Sequence, residues 1–178
     1  VDTTRYQVIY RVQEQTLDSA KTEAFLLKRT VRTINEGKVL ESALYSARKT
    51  NEEYQVFRNN RRTLALDFPL SEGHEWDGNA YNTQDSQIYK VRAIHEPATI
   101  LNNQYDSTLL VQEEDQDNLI ERNASKTRYA KEIGPVFREQ VNLSFKGDSI
   151  PPEEVPWEAK ANTGNIVRYR LQEVTMGQ

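Results

Sequence analysis

Apolar and polar side chains trade places residue by residue along about ten short stretches of this chain, with Gly, Asn or Pro standing between most of them. A period of two is that of a β-strand, whose successive side chains point to opposite faces, so this pattern commits the chain to extended structure before anything else is weighed. Tyr6, Val8, Tyr10 and Val12 alternate with Gln7, Ile9 and Arg11, and Leu64, Leu66, Phe68 and Leu70 alternate just as strictly. The same reading predicts strands over 23–34, 53–58, 62–70, 75–82, 87–96, 105–112, 126–131, 135–145 and 166–174. Residues 39–49 satisfy two periods at once: Val39, Leu40, Ala43, Leu44 and Ala47 share a helical face, while Leu40, Ser42, Leu44 and Ser46 share a strand face. The alternating neighbours and the short spacing of turn signals favour strand there.

Turn chemistry supports the same picture. Asn35-Glu36-Gly37-Lys38, Asn59-Asn60, Ser71-Glu72-Gly73, Asp77-Gly78 and Gly134 mark hairpin tips or bulges, and Pro97 is expected to end its strand. The acidic run Glu113-Glu114-Asp115-Gln116-Asp117-Asn118 reads as a solvated tip. Between about 146 and 164, Gly147, Pro151, Pro152, Pro156 and Gly164 break every period and predict an extended loop. The expected fold is therefore all-β: an antiparallel barrel, or a strongly curved sheet or sandwich, of about ten strands with little or no helix, in a single domain over 1–178.

Composition narrows function mainly by exclusion. The chain has no Cys, which removes disulfides, thiolate nucleophiles and zinc–thiolate sites. A net charge of −4 offers no broad positive field, so nucleic acid is not an expected partner. No stretch approaches the roughly 18 consecutive apolar residues of a spanning helix. Opening at Val1 without a charged-then-apolar leader fits a protein whose signal or anchor segment has been trimmed.

Two segments are distinctive: Trp76-Asp77-Gly78-Asn79-Ala80-Tyr81-Asn82, and Tyr129-Ala130-Lys131-Glu132-Ile133-Gly134-Pro135-Val136-Phe137-Arg138-Glu139. With Ala47-Arg48-Lys49 and Phe68-Pro69-Leu70-Ser71-Glu72-Gly73, they resemble a group of uncharacterised secreted lipoproteins of the Bacteroidetes, over roughly 30–143 and again at Val167-Arg168-Tyr169-Arg170-Leu171. The second segment departs from the pattern at Pro135, where a small aliphatic residue is more usual. The resemblance implies a protein of the periplasm or cell surface, held at the outer membrane by a lipid upstream of Val1. It carries no catalytic residues across.

The residues themselves supply few candidates for chemistry. His74 and His95 lack any metal-ligand spacing and read as polar surface residues, so no metal and no cofactor is expected. The acidic run lacks the glycine and terminal glutamate of a calcium loop. Candidate ligand-binding residues are Trp76 and Tyr81, the cluster Arg58, Arg61 and Arg62 around Asn59-Asn60, and Trp157. Each has a structural reading beside the functional one. Trp76 and Tyr81 would pack across a hairpin, the arginines would blunt a strand edge, and Trp157 would cap one end of the core. The expected function is a non-enzymatic binding or structural protein of the envelope with a protein, hydrophobic or glycan partner. Alternatives are a glycan hydrolase using paired carboxylates, with Glu75, Asp77 and Glu139 as first suspects, and a lipid carrier with a half-open barrel.

Overall fold

The structure, a computed structural model, describes residues 3–17, 22–147 and 154–175. Among them the protein is all-β and antiparallel, with eleven strands in two sheets and helix confined to α1 (Trp157–Lys160). The described chain groups into two compact units, Val1–Pro69 with Gly78–Ser86 and Leu70–Asp77 with Gln87–Gln178. The single domain expected over 1–178 thus meets a chain built as two sheets, one to each unit.

The first unit holds β1 (Tyr6–Leu17), β2 (Glu23–Thr33), β3 (Val39–Lys49), β4 (Glu53–Arg58) and β5 (Arg61–Asp67), paired in chain order. The ambiguous segment is strand throughout: β3 lies between β2 and β4, with Leu27 opposite Tyr45 and Ala47 opposite Val56. Pairing with β2 over 39–48 and with β4 over 46–49 holds the segment extended, so tertiary context overrides its local helical leaning. Between β4 and β5, Asn59 and Asn60 both adopt positive φ, 51° and 57°. That is the backbone of a two-residue hairpin whose twist matches its strands, and Asn tolerates it better than most residues. Val31, Ala47, Leu64, Ala65 and Leu66 are buried in this unit.

The second unit holds β6 (Glu75–Asp77), β7 (Ile88–Ile100), β8 (Asn103–Asp117), β9 (Glu121–Ala130), β10 (Gly134–Ser144) and β11 (Thr163–Arg170), again in sequential order. Trp76, Tyr89, Val91, Ala93, Leu109, Val111, Ala130, Val136 and Leu143 are buried here. Three expectations are corrected. The strand predicted over 75–82 stops at Asp77. Pro97 does not end its strand, because β7 runs on to Ile100 and Pro97 lies within a register shift between Glu96 and Ala98. Glu96 faces Thr108 and Ala98 faces Tyr105, so Pro97 sits in an irregularity that asks no ladder hydrogen bond of it. The acidic run is not simply a solvated tip either, since Glu113 to Asp117 belong to β8 and Glu113 is only 5% exposed.

Part of the predicted loop, residues 148–153 with Pro151 and Pro152, lies outside the described residues. The rest contains α1, and β11 begins at Thr163, earlier than the predicted 166. Gly164 there has φ 123° and lies opposite Leu143; a Cβ on it would meet the Asn142 carbonyl oxygen at 2.1 Å. Both the backbone conformation and the space demand glycine. Gly164→Ala is expected to destabilise the second unit by about 2 kcal/mol or more, strain at such a position being worth roughly 1–3 kcal/mol. Urea unfolding, together with amide exchange that loses protection first along β11, would show it.

Candidate functional site

The β4–β5 hairpin sets Phe57 directly opposite Arg62, and Arg58 opposite Arg61. Around this pair the first unit assembles a closed ring of contacts. The Arg62 guanidinium lies 5.0 Å from the centre of the Phe57 ring and 4.7 Å from that of Tyr81. Its Nε donates to Gln55 Oε1 at 2.9 Å. The Gln55 amide donates to one oxygen of Glu53, and the Tyr81 hydroxyl donates to the other. Asn82 closes the ring from the backbone side, its Nδ2 reaching the Arg62 carbonyl oxygen at 2.8 Å and Asn79 Oδ1 at 3.0 Å.

The consequences are electrical and mechanical. Cation–π contact on two rings removes most of the freedom a surface arginine would keep. Hydrogen bonding to Glu53 is the main reason the Tyr81 phenol is pushed above its ordinary range, with burial and the Glu53 charge adding to it and Arg62 opposing. Gln55, 1% exposed, is the buried foot of the ring. Phe57 and Tyr81 remain 37% and 43% exposed; Arg58 and Arg61 are exposed as well, on the other face of the hairpin. The result is a shelf of fixed rings and donors on β4–β5.

Two of the six residues expected from sequence therefore meet here, Tyr81 and Arg62; Arg58 and Arg61, one step along each strand, alternate to the other face of the hairpin. Trp76 and Trp157 lie elsewhere. Trp76 is 6% exposed, stacked on His74 with ring centres 5.5 Å apart and edge-on to Tyr89 at 5.9 Å. It is a core residue of the second unit, on a strand that ends at Asp77. The expected local backbone bonds do form: Asp77 Oδ1 accepts from the Gln87 N–H at 2.9 Å, and Asn79 Nδ2 donates to the Asp85 carbonyl oxygen at 2.8 Å. Trp157, half-buried, donates its indole N–H to Asp117 Oδ1 at 2.9 Å and carries Lys160 4.0 Å above its ring, which ties α1 to the end of β8.

Phe57, Gln55 and Glu53 escaped the sequence reading. Phe57 was findable, because a two-residue tip at Asn59-Asn60 places 57 against 62 automatically. Nothing in the sequence marks Gln55 as buried.

The carboxylates suspected of glycan chemistry are each occupied. Glu75 pairs with Lys90 at 2.6 Å, and that hydrogen bond and charge hold its carboxyl below the usual range. Glu139 stands between Lys126 and Arg168 on the neighbouring strands. Burial pushes the Glu139 carboxyl up, but the hydrogen bonds and charges of its two partners outweigh that, and the net shift is downward. A general acid needs the opposite shift. Glu113 is another anchored carboxylate. It is the extra residue where the register steps from Gln112 opposite Lys126 to Glu114 opposite Ser125. It accepts from Ser125 Oγ and Thr127 Oγ1, both at 2.6 Å, and from Arg138 Nη2 at 2.9 Å.

His95 is exposed at φ 61°, with Nδ1 3.3 Å from Ser107 Oγ. Among the described residues no group of three or more metal-capable side chains comes together, and no helix is long and apolar enough to cross a membrane. Comparison with family models, with curated proteins and with solved structures finds no match to this chain.

Because the folded-state pKa of Glu139 lies below its ordinary value of 4.5, its contribution to stability is complete above that value and is lost as pH falls through the folded value. Urea unfolding from about pH 7 to about pH 3 is expected to show the wild type losing its advantage over Glu139→Gln across the acid end of that range. A stability difference that stays constant with pH would contradict the ion-pair account.

Proposed function

We propose that the chain is a non-enzymatic recognition protein of the bacterial envelope, lipid-anchored as the resemblance implies, and that it takes an anionic glycan on the Phe57–Tyr81 shelf. The observation that carries this is Arg62 locked between two partly exposed rings. Sugar rings lay their C–H faces on aromatic surfaces, and aromatics with few rotatable bonds lose little entropy in doing so. The Arg62 guanidinium, a planar fork held at the rings, suits a uronate carboxylate or a sulfate. A site whose polar groups are already held in place has less ordering to do on binding.

The hydrolase alternative is weakened by the lowered proton affinities of Glu75 and Glu139. The lipid-carrier alternative finds little support in two concavities of the described surface: one is lined by Ile9, Arg11, Lys28, Thr30 and Arg32, the other by residues 97–99 and 104–106. Both mix charged or polar groups with few apolar ones.

A panel of neutral, uronate-bearing and sulfated oligosaccharides, read by calorimetry and by reducing-end release, tests the reading. Expected are binding of the acidic members, no cleavage, and affinity lowered roughly tenfold by Tyr81→Ala, about 1.4 kcal/mol. Arg62→Gln should weaken acidic ligands more than neutral ones. Acidic glycans that do not bind, or that bind without regard to both substitutions, would refute it.

A further inference from the structure

The cleft on β1–β2 is built unlike the rest of the surface. Arg11 lies directly opposite Lys28, Ile9 opposite Thr30 and Gln7 opposite Arg32, so the strand period places Arg11, Lys28 and Arg32 on one face around the Ile9–Thr30 pair. Together Ile9, Arg11, Lys28, Thr30 and Arg32 line a concavity of about 130 Å³, several times the room that one water needs. No carboxylate lines it. Among the described residues no ion pair joins Arg11, Lys28 or Arg32 to an acid, and the buried Nε of Arg32 has no hydrogen-bond partner.

Each of these facts is unfavourable alone. Like charges placed directly opposite one another weaken a strand pair, and a buried N–H without a partner costs roughly 1–3 kcal/mol. The same unit treats another cation differently: Arg29, on the opposite face of β2, is answered by Glu41 at 2.5 Å. Surface charge alone therefore does not explain why three cations on β1–β2 converge without a counter-charge.

We propose that this cleft is a binding site for a tetrahedral oxyanion, a phosphate or sulfate group, held by Arg11, Lys28 and Arg32 with the Thr30 hydroxyl as a further donor. An oxyanion of this kind carries enough acceptor oxygens to satisfy several donors at once, and its charge reverses the repulsion between Arg11 and Lys28. Arg supplies the planar fork and Lys the mobile point charge, a division seen wherever phosphates are gripped by side chains. The site shares no residue with the Tyr81 shelf and stands whether or not that shelf takes a glycan. The oxyanion could be free or could belong to a lipid head group, and the chemistry at the cleft is the same.

Titrating the whole chain with inorganic phosphate and with sulfate at low ionic strength, by calorimetry and by NMR of the arginine Nε–H signals, tests this. Flotation with vesicles of phosphatidylglycerol in phosphatidylcholine forms the second arm. Expected is saturable phosphate or sulfate binding that shifts the Arg32 Nε–H and weakens with added salt. Arg32→Gln and, separately, the exposed Lys28→Gln should each reduce affinity roughly tenfold, while Lys131→Gln in the β9–β10 turn leaves it unchanged. Vesicle binding with no free-anion binding, lost in the same two variants, would assign the oxyanion to a lipid head group. No binding of any of these probes by the wild type, or binding that both Arg32→Gln and Lys28→Gln leave intact, would overturn the site.

Discussion

Pairing between strands that are neighbours along the chain is the constraint on which everything else in this protein rests. Both sheets run in sequential order, so each backbone ladder joins two strands that are consecutive along the chain. In such a meander the turn sets the register, and the register decides which side chains meet. The Asn59-Asn60 tip shows the reach of this rule: two residues at positive φ place Phe57 against Arg62, and from that pair grow the contacts to Tyr81, Gln55 and Glu53. A slip of one residue would turn Arg62 to the other face and dissolve the shelf.

Where the ladder is irregular, the protein uses the irregularity. The extra residue at Glu113 leaves its carboxylate turned onto Ser125 and Thr127, with Arg138 completing the set. The extra residue at Val136 leaves a carbonyl that accepts from the Leu171 N–H at 2.8 Å and carries the chain on past β11. Pro97 occupies a third such step. Bulges thus do three jobs here: they seat a buried charge among donors, hold the end of an outer strand, and admit a residue that cannot donate. The buried charge matters most, because a carboxylate taken out of water is tolerable only with its hydrogen bonds complete.

Much of this was legible in advance, and the failures share a cause. The extended segments and the turn at Asn59-Asn60 follow from period and turn chemistry, which are local. Trp76 was misplaced because its partners, His74 and Tyr89, depend on where β6 stops and which strand it joins. Glu113 was read as solvated because an acidic run ordinarily is, and only the cross-strand hydroxyls and Arg138 make its burial possible. Arg11, Lys28 and Arg32 form no motif along the chain, being spread over two strands. Only the antiparallel register gathers them.

The order of residues by itself determined that the chain is extended, antiparallel and nearly without helix, because alternation at a period of two and the left-handed tolerance of Asn and Gly are properties of short segments. It also determined what chemistry is missing, since without cysteine no thiolate can act. What only the tertiary structure decided is which of the many polar side chains face one another. Those meetings, Arg62 between its rings, Glu113 among its donors and the cations of β1–β2 around one cleft, join residues on different strands. Register, bulges and burial, rather than residue type, choose them.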